Sequence, residues 1–378
     1  MKSVGIICEY NPFHNGHLYH LNKVRELFKE HTIILILSPT FTQRGVPSII
    51  NKWDKTKLAI FYGVDLVVEL PYPFACQSAD FFAKGSIQLL NSLKVEYLIF
   101  GSECNDIEIL TKIAKVQVNN KECDTLTQKY LQEGINYPTA LSKAIKKLTG
   151  EAVLSPNDLL GVSYIKEIIK QKSNIVPICI QRTNDYHGKD TENNIMSASG
   201  IREKLNNLEN VSNYIPNYDI EPIKHNNCYF QYLKYKIISE GINIKNYQTV
   251  DEGIENRILK YILEVNSLEE LIEKVKTKRY TYNKISRMFN HILCSFTKEE
   301  AKRLTNISYI RILGFTSKGK QYLSTIKKEI TLPIITNCKN KDDELLLLEH
   351  RITNIYNTIQ NINDNEITKK PIMIDNIN

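Results

Sequence analysis

The chain has no clustered cysteines and no long apolar run. Its eight cysteines (Cys8, Cys76, Cys104, Cys123, Cys179, Cys228, Cys294 and Cys338) are spread so widely that no two lie within four residues of each other. That excludes the CxxC pairs of zinc and dithiol sites. Cys8, Cys179 and Cys294 sit in apolar stretches, where a free thiol packs as a small hydrophobe, so reduced thiols are expected. Runs such as Ile33–Leu37 and Val64–Leu70 fall far short of the roughly 20 apolar residues that span a bilayer. Only Lys2 precedes the first apolar stretch, and Glu9 and two histidines follow it. That is not the architecture of a signal peptide. The expectation is a cytoplasmic protein with no membrane contact.

What is present fits an ordinary globular composition, with 42% apolar and 24% charged residues over 378 positions. At roughly 100 to 200 residues per domain, that length predicts two domains. The net charge of +7 is modest but unevenly placed. Residues 274–328 hold fourteen Lys or Arg against only Glu299 and Glu300, a local excess of +12. Such a block calls for a polyanionic partner. Lys278, Arg279, Lys284 and Arg287 are the candidate RNA contacts, with Lys302, Arg303, Arg311, Lys318 and Lys320 further on. The interleaved Ile285, Met288, Phe289, Ile292 and Phe296 fall at helical spacing and are expected to be core.

In the first two hundred residues, short apolar runs alternate with helical patterns. Strands are expected at 2–8, 32–37, 65–69, 97–100 and 175–180. Helices are expected at 17–29, 52–62, 79–93, 138–148, 157–171 and 199–205. This alternation predicts βαβ units, hence an α/β, Rossmann-like domain built on a parallel sheet. Residues 184–194 read as a polar loop. Beyond about 228 the helical period dominates and strands become scarce. The division expected is an ATP-binding catalytic domain over 1–210, a helical basic domain over 220–360 and a polar tail over 361–378.

The sharpest local signal is EYNPFHNGHLYHL, Glu9 to Leu21, directly after the first strand. Pro12 ends the strand and Gly16 is expected to form the turn into a helix. His14 and His17 then flank a helix N-terminus, where unpaired amides and the helix dipole favour phosphate. A second stretch, IMSASGIR (Ile195 to Arg202), closes the α/β half. Ser199 is the expected N-cap there, with Arg202 one turn in, able to fork onto phosphates.

H-x-G-H after a first strand, paired with that later S-x-S-x-x-R, resembles the nucleotidylyltransferase superfamily. Three further segments narrow the likeness: residues 42–85 (TQRGVPSIINKWDKTKLAIF onward), FGSE at 100–103 and SPNDLLGVSYIK at 155–166. With QRTNDYHG at 181–188, they resemble the bacterial tRNA(Met) cytidine acetate ligase family over about residues 1–340. The resemblance implies ATP-dependent formation of acetyl-adenylate from acetate, then acetyl transfer to the wobble cytidine of elongator tRNA(Met). It implies catalytic roles for His14, His17 and Arg202. ATP would bind along Ile7, Cys8, Glu9, Tyr10, Asn11, Pro12, Phe13, His14, Asn15, Gly16, His17, Leu18, Tyr19 and His20, with Gly101, Asn157, Arg182 and Ser199. The chain departs from the family pattern at Pro39 and Thr40, where a glycine and an asparagine are expected, and keeps Gln43, Arg44 and Gly45. No spaced carboxylates suggest a metal cage, so magnesium is expected to arrive with ATP. DNA is not an expected partner. Two other readings stand beside this one: an adenylyltransferase for a small cofactor precursor, and a non-catalytic RNA-binding module on the same fold.

Overall fold

Five β-rich runs of the first half form strands β1 (Ser3–Cys8), β2 (Thr32–Leu37), β3 (Leu66–Glu69), β4 (Tyr97–Ser102) and β5 (Val176–Gln181). The computed structural model describes residues 1–151, 155–182, 194–218, 225–277, 279–338 and 342–374. Lys278 and nearly all of the expected polar loop at 184–194 lie outside the described residues. The strands pair in parallel in the order β5-β4-β1-β2-β3. Ile33, Leu35 and Leu37 of β2 bury into one layer, and Ile34 and Ile36 into the opposite one. This is the two-faced burial that a central parallel strand requires. The order reverses between β1 and β4, so the crevice at their carboxyl ends is the place where such sheets bind ligands.

The expected helices are present with ends shifted by a residue or two: Asn15–Leu27, Lys52–Phe61, Ala79–Ser92, Tyr137–Thr149, Pro156–Lys170 and Ala198–Asn206. Two more, Ile107–Asn119 and Lys121–Gln132, are each opened by a side chain, Asp106 and Asn120, accepting from first-turn amides.

The second half has its own apolar core, on the helices His225–Glu240, Ile254–Tyr261, Leu268–Val275, Tyr282–Leu293 and Glu344–Gln360. Ile285, Met288, Phe289, Ile292 and Phe296 are all buried in it. Strands are not absent here, however. β6 (Ile310–Phe315) lies antiparallel to β3, and β7 (Ile334–Ile335) and β8 (Ile372–Met373) pair with β6. The basic segment therefore runs back into the first sheet. The tail is tied in as well, because buried Glu366 receives Trp53 Nε1 at 3.1 Å and pairs with Lys52 Nζ at 2.9 Å. These contacts are long-range, so no local period announces them. Arg311 is fully buried on β6, 3.6 Å from Glu366, and so faces no RNA.

Candidate active site

The crevice at the switch point is a cleft of about 290 Å³, lined by the ends of β1, β4 and β5 and by the loops that follow them. The chain leaves β1 at Cys8 and enters a helix whose N-cap is His14. Gly16 is not the turn; it lies inside the first helical turn. A Cβ there would meet His14 Cε1 at 2.9 Å and Nδ1 at 3.0 Å. The glycine is needed because the imidazole lies against its backbone.

His14 and His17 stack with ring centroids 3.7 Å apart. The His14 backbone N–H donates to His17 Nδ1 at 3.3 Å. In the neutral ring that puts the His17 proton on Nε2, and the ring also has a hydrogen bond to the Pro12 backbone. Burial drives His14 down to about 3, with the Arg182 and Arg202 guanidiniums adding to the effect. The His17 pKa lies well below the usual imidazole value from burial, with His14 and Arg182 contributing, and burial and Arg182 bring His20 to about 4. These rings are neutral near pH 7. Arg202 reaches across from its helix to donate to the Asn11 carbonyl at 2.6 Å. Burial lowers it to about 10, opposed by Glu9. A cleft holding neutral imidazoles beside two guanidiniums is suited to a polyanion, whose charge would compensate the cations. Among the described residues, His14 Nδ1, His20 Nε2 and Asn11 Nδ2 are buried without a hydrogen-bond partner.

Asn157 lines the cleft and donates to Glu103 Oε1 at 2.5 Å, while Arg182 Nε lies 3.9 Å from the same carboxylate oxygen. A Cβ at Gly101 would stand 3.2 Å from Arg182 Cγ, so the glycine gives that arginine room. Ser199 lines the cleft from an exposed position but is not the cap. Ser197 is, its Oγ accepting from Gly200 N at 3.2 Å, because the helix begins before the expected start.

Of the expected loop, Ile7, Cys8, Glu9, Tyr10, Asn11, His14, Gly16, His17, Tyr19 and His20 line the cleft. Phe13 is buried core and Leu18 packs against it. Pro12 is buried outside the lining set, after a cis Asn11–Pro12 bond. Asn15 turns away, donating to the Asn194 and Asn213 carbonyls. Thr42, Gln43 and Arg44 also line the cleft. The QRG segment carried that signal in the sequence, without a strand-end position to mark it as a site. Lys55, buried under the same edge, donates to the Ser38 carbonyl at 2.6 Å and the Glu9 carbonyl at 3.1 Å.

Of the expected RNA contacts, Lys278 lies outside the described residues. Arg279 is exposed, 3.6 Å from Glu252. Lys284 Nζ lies 3.9 Å over the Tyr280 ring. Arg287 turns inward, donating to the Gln43 carbonyl at 3.1 Å, and so does not present its guanidinium outward as expected.

A doubly wound sheet with paired histidines opening the helix at its switch point is the design of a nucleotidyl transferase, and the family described as HIGH Nucleotidyl Transferase matches residues 1–370. A tRNA(Met) cytidine acetate ligase of Geobacillus sp. (strain WCH70) is 40% identical over 95% of both chains. That of Clostridium kluyveri is 38% identical over the full length of both. Among solved structures, apo Thermotoga maritima TmcAL superposes with a TM-score of 0.89 at 30% identity, covering 99% of this chain and 100% of that one. The same protein bound with alpha-thio ATP gives 0.88. The chain belongs to the tRNA(Met) cytidine acetate ligase family.

Proposed function

We propose that the chain joins acetate to ATP as acetyl-adenylate and transfers the acetyl group to the wobble cytidine of elongator tRNA(Met). The products are N4-acetylcytidine, AMP and pyrophosphate. The observation that carries this reading is the His14–His17 pair at a helix N-terminus in the switch-point cleft, faced by Arg182 and Arg202, in a chain of this family.

Acetate is a poor acyl donor until its oxygen is bonded to a good leaving group. In the first step an acetate oxygen attacks the α-phosphorus, the bond to the β-phosphate oxygen breaks, and pyrophosphate leaves. Charge grows on the α-phosphate oxygens and on the departing group, so donors fixed in advance supply most of the catalysis. His17 Nε2–H is such a donor, held by the hydrogen bond at its Nδ1, and His14 lies stacked beside it. Arg202 and Ser199, which line the cleft, would contact the β- and γ-phosphates, and Arg182, Asn157 and Gly101 the nucleoside. In the second step the N4 amine of cytidine attacks the acetyl carbon, AMP leaves, and the amine gives up a proton. Among the described residues, no group of three or more His, Cys, Asp or Glu side chains could hold a metal. Magnesium would arrive bound to the triphosphate. No helix among the described residues is long and apolar enough to cross a membrane. A cytoplasmic enzyme acting on tRNA rather than DNA fits these substrates. Lys278, Arg279 and Lys284 are the proposed contacts to the tRNA backbone.

The test is pyrophosphate release from ATP, with and without acetate and tRNA. Release should require acetate. His17→Ala should lower it about 10²- to 10³-fold, the usual cost of one charge-stabilising donor, while circular dichroism stays unchanged. A folded His17→Ala variant with near-parent rates would remove this histidine from the mechanism.

A further inference from the structure

We propose that Arg287 is a positioning residue of the ATP cleft: contributed by the helical half, it holds the Thr42–Gly45 edge of the cleft in place through Gln43. This inference rests on the reading of the cleft as an ATP site.

Gln43 is gripped on both sides. Its N–H donates to Glu9 Oε1 at 2.6 Å, and its carbonyl accepts from Arg287 Nη1 at 3.1 Å. Glu9, Gln43 and Arg44 all line the cleft, and Glu9 is also the carboxylate whose charge opposes the lowering of Arg202. Arg287 thus lies two hydrogen bonds from the carboxylate that follows β1, although it stands 244 positions from Gln43 in the chain.

The docking of this edge onto the Tyr282–Leu293 helix is close. Gly45 has φ +79°, and a Cβ there would lie 2.4 Å from the Arg287 backbone nitrogen and 2.5 Å from the Ser286 carbonyl carbon. The Gly45 carbonyl accepts from Ser286 Oγ at 3.2 Å and Asn290 Nδ2 at 3.5 Å. Ser286 and Asn290 are both buried. Burial lowers the Arg287 pKa, so the guanidinium is partly withdrawn from water. That withdrawal is costly unless its donors are used. A cation held this way is committed to the loop, and it fixes where Gln43 and Arg44 present themselves to the triphosphate.

Two variants separate positioning from mere packing. Arg287→Met keeps the aliphatic stem and removes the donors; Arg287→Lys keeps a cationic donor. Equilibrium ATP binding and ATP–pyrophosphate exchange are measured alongside thermal unfolding and tRNA binding. Arg287→Met should weaken ATP about tenfold, raising KM for ATP while kcat and tRNA affinity stay within about twofold. Arg287→Lys should recover most of that deficit. Gly45→Ala, which displaces the same edge without removing a charge, should reproduce the ATP defect. A folded Arg287→Met variant that binds ATP like the parent overturns the inference, and so does one that fails to bind tRNA alone. Failure to fold in both Arg287→Met and Gly45→Ala also overturns it, by making the interaction purely structural. If the parent protein itself fails to bind ATP, the ATP reading of the cleft falls instead.

Discussion

At the scale of single residues, burial governs the site. In the unfolded chain a histidine titrates near 6.5. Folding pulls His14 to about 3 and His20 to about 4, with His17 also well below its usual value, all chiefly through burial. Between the folded and unfolded values, the unfolded state binds protons that the folded state refuses. Stability therefore rises with pH across that window and falls away below about pH 6.5, by roughly 1.4 kcal/mol per pH unit for each such histidine. Denaturant unfolding of the ligand-free protein should show this decline from pH 7 to pH 5, and His14→Gln should make it shallower. An identical slope in parent and variant would show that His14 is not held neutral by the fold. The residue-level chemistry was legible in part. The position of H-x-G-H at a strand-to-helix junction was legible, because both the spacing and the neighbours are local. The pull of Arg182 and Arg202 on His14 was not legible, since those residues arrive from the end of β5 and from the Ala198–Asn206 helix, far along the chain.

At the scale of elements, helix starts decide which side chain does what. The sequence offers two serines before Arg202, and a local reading places the cap at Ser199. The structure caps with Ser197, which frees Ser199 to line the cleft. Ser197→Ala should cost about 1 kcal/mol in denaturant unfolding, the usual worth of a serine cap. Ser199→Ala should leave stability nearly unchanged and act on ATP instead. Equal destabilisation by the two would contradict the assignment. The expected strands and most helices of the first half were legible because each buries an apolar face with a clear period. The helices Ile107–Asn119 and Lys121–Gln132 were missed, although Asp106 and Asn120 cap them and could have signalled their starts. Pro39 and Thr40, which depart from the family pattern, lie in the segment joining β2 to the Lys52–Phe61 helix, and both are buried there.

At the scale of the whole molecule, the two halves share one sheet and one cleft edge. β6 pairs with β3, and the Tyr282–Leu293 helix docks on the Thr42–Gly45 loop. Composition alone marked the second half as basic and helical, but it could not show that Arg287 and Arg311 turn inward. Both are held by partners distant in sequence, Gln43 and Glu366. Lys278, Arg279 and Lys284 remain the proposed docking face. Changing Lys278, Arg279 and Lys284 to Glu should weaken tRNA binding, with ATP affinity barely altered. The slope of its salt dependence should fall by about one unit for every phosphate that the protein no longer neutralises. A triple variant with unaltered affinity at several salt concentrations would move the docking face elsewhere. In the proposed reaction, ATP activates acetate for transfer to tRNA. This is tested most directly by incubating elongator tRNA(Met) with isotopically labelled acetate and ATP, then digesting to nucleosides for mass spectrometry. The expected result is labelled N4-acetylcytidine from the wobble position, with AMP and pyrophosphate formed in equal amounts. Unlabelled cytidine under those conditions, or acetylcytidine formed from acetyl-coenzyme A without ATP, would contradict it.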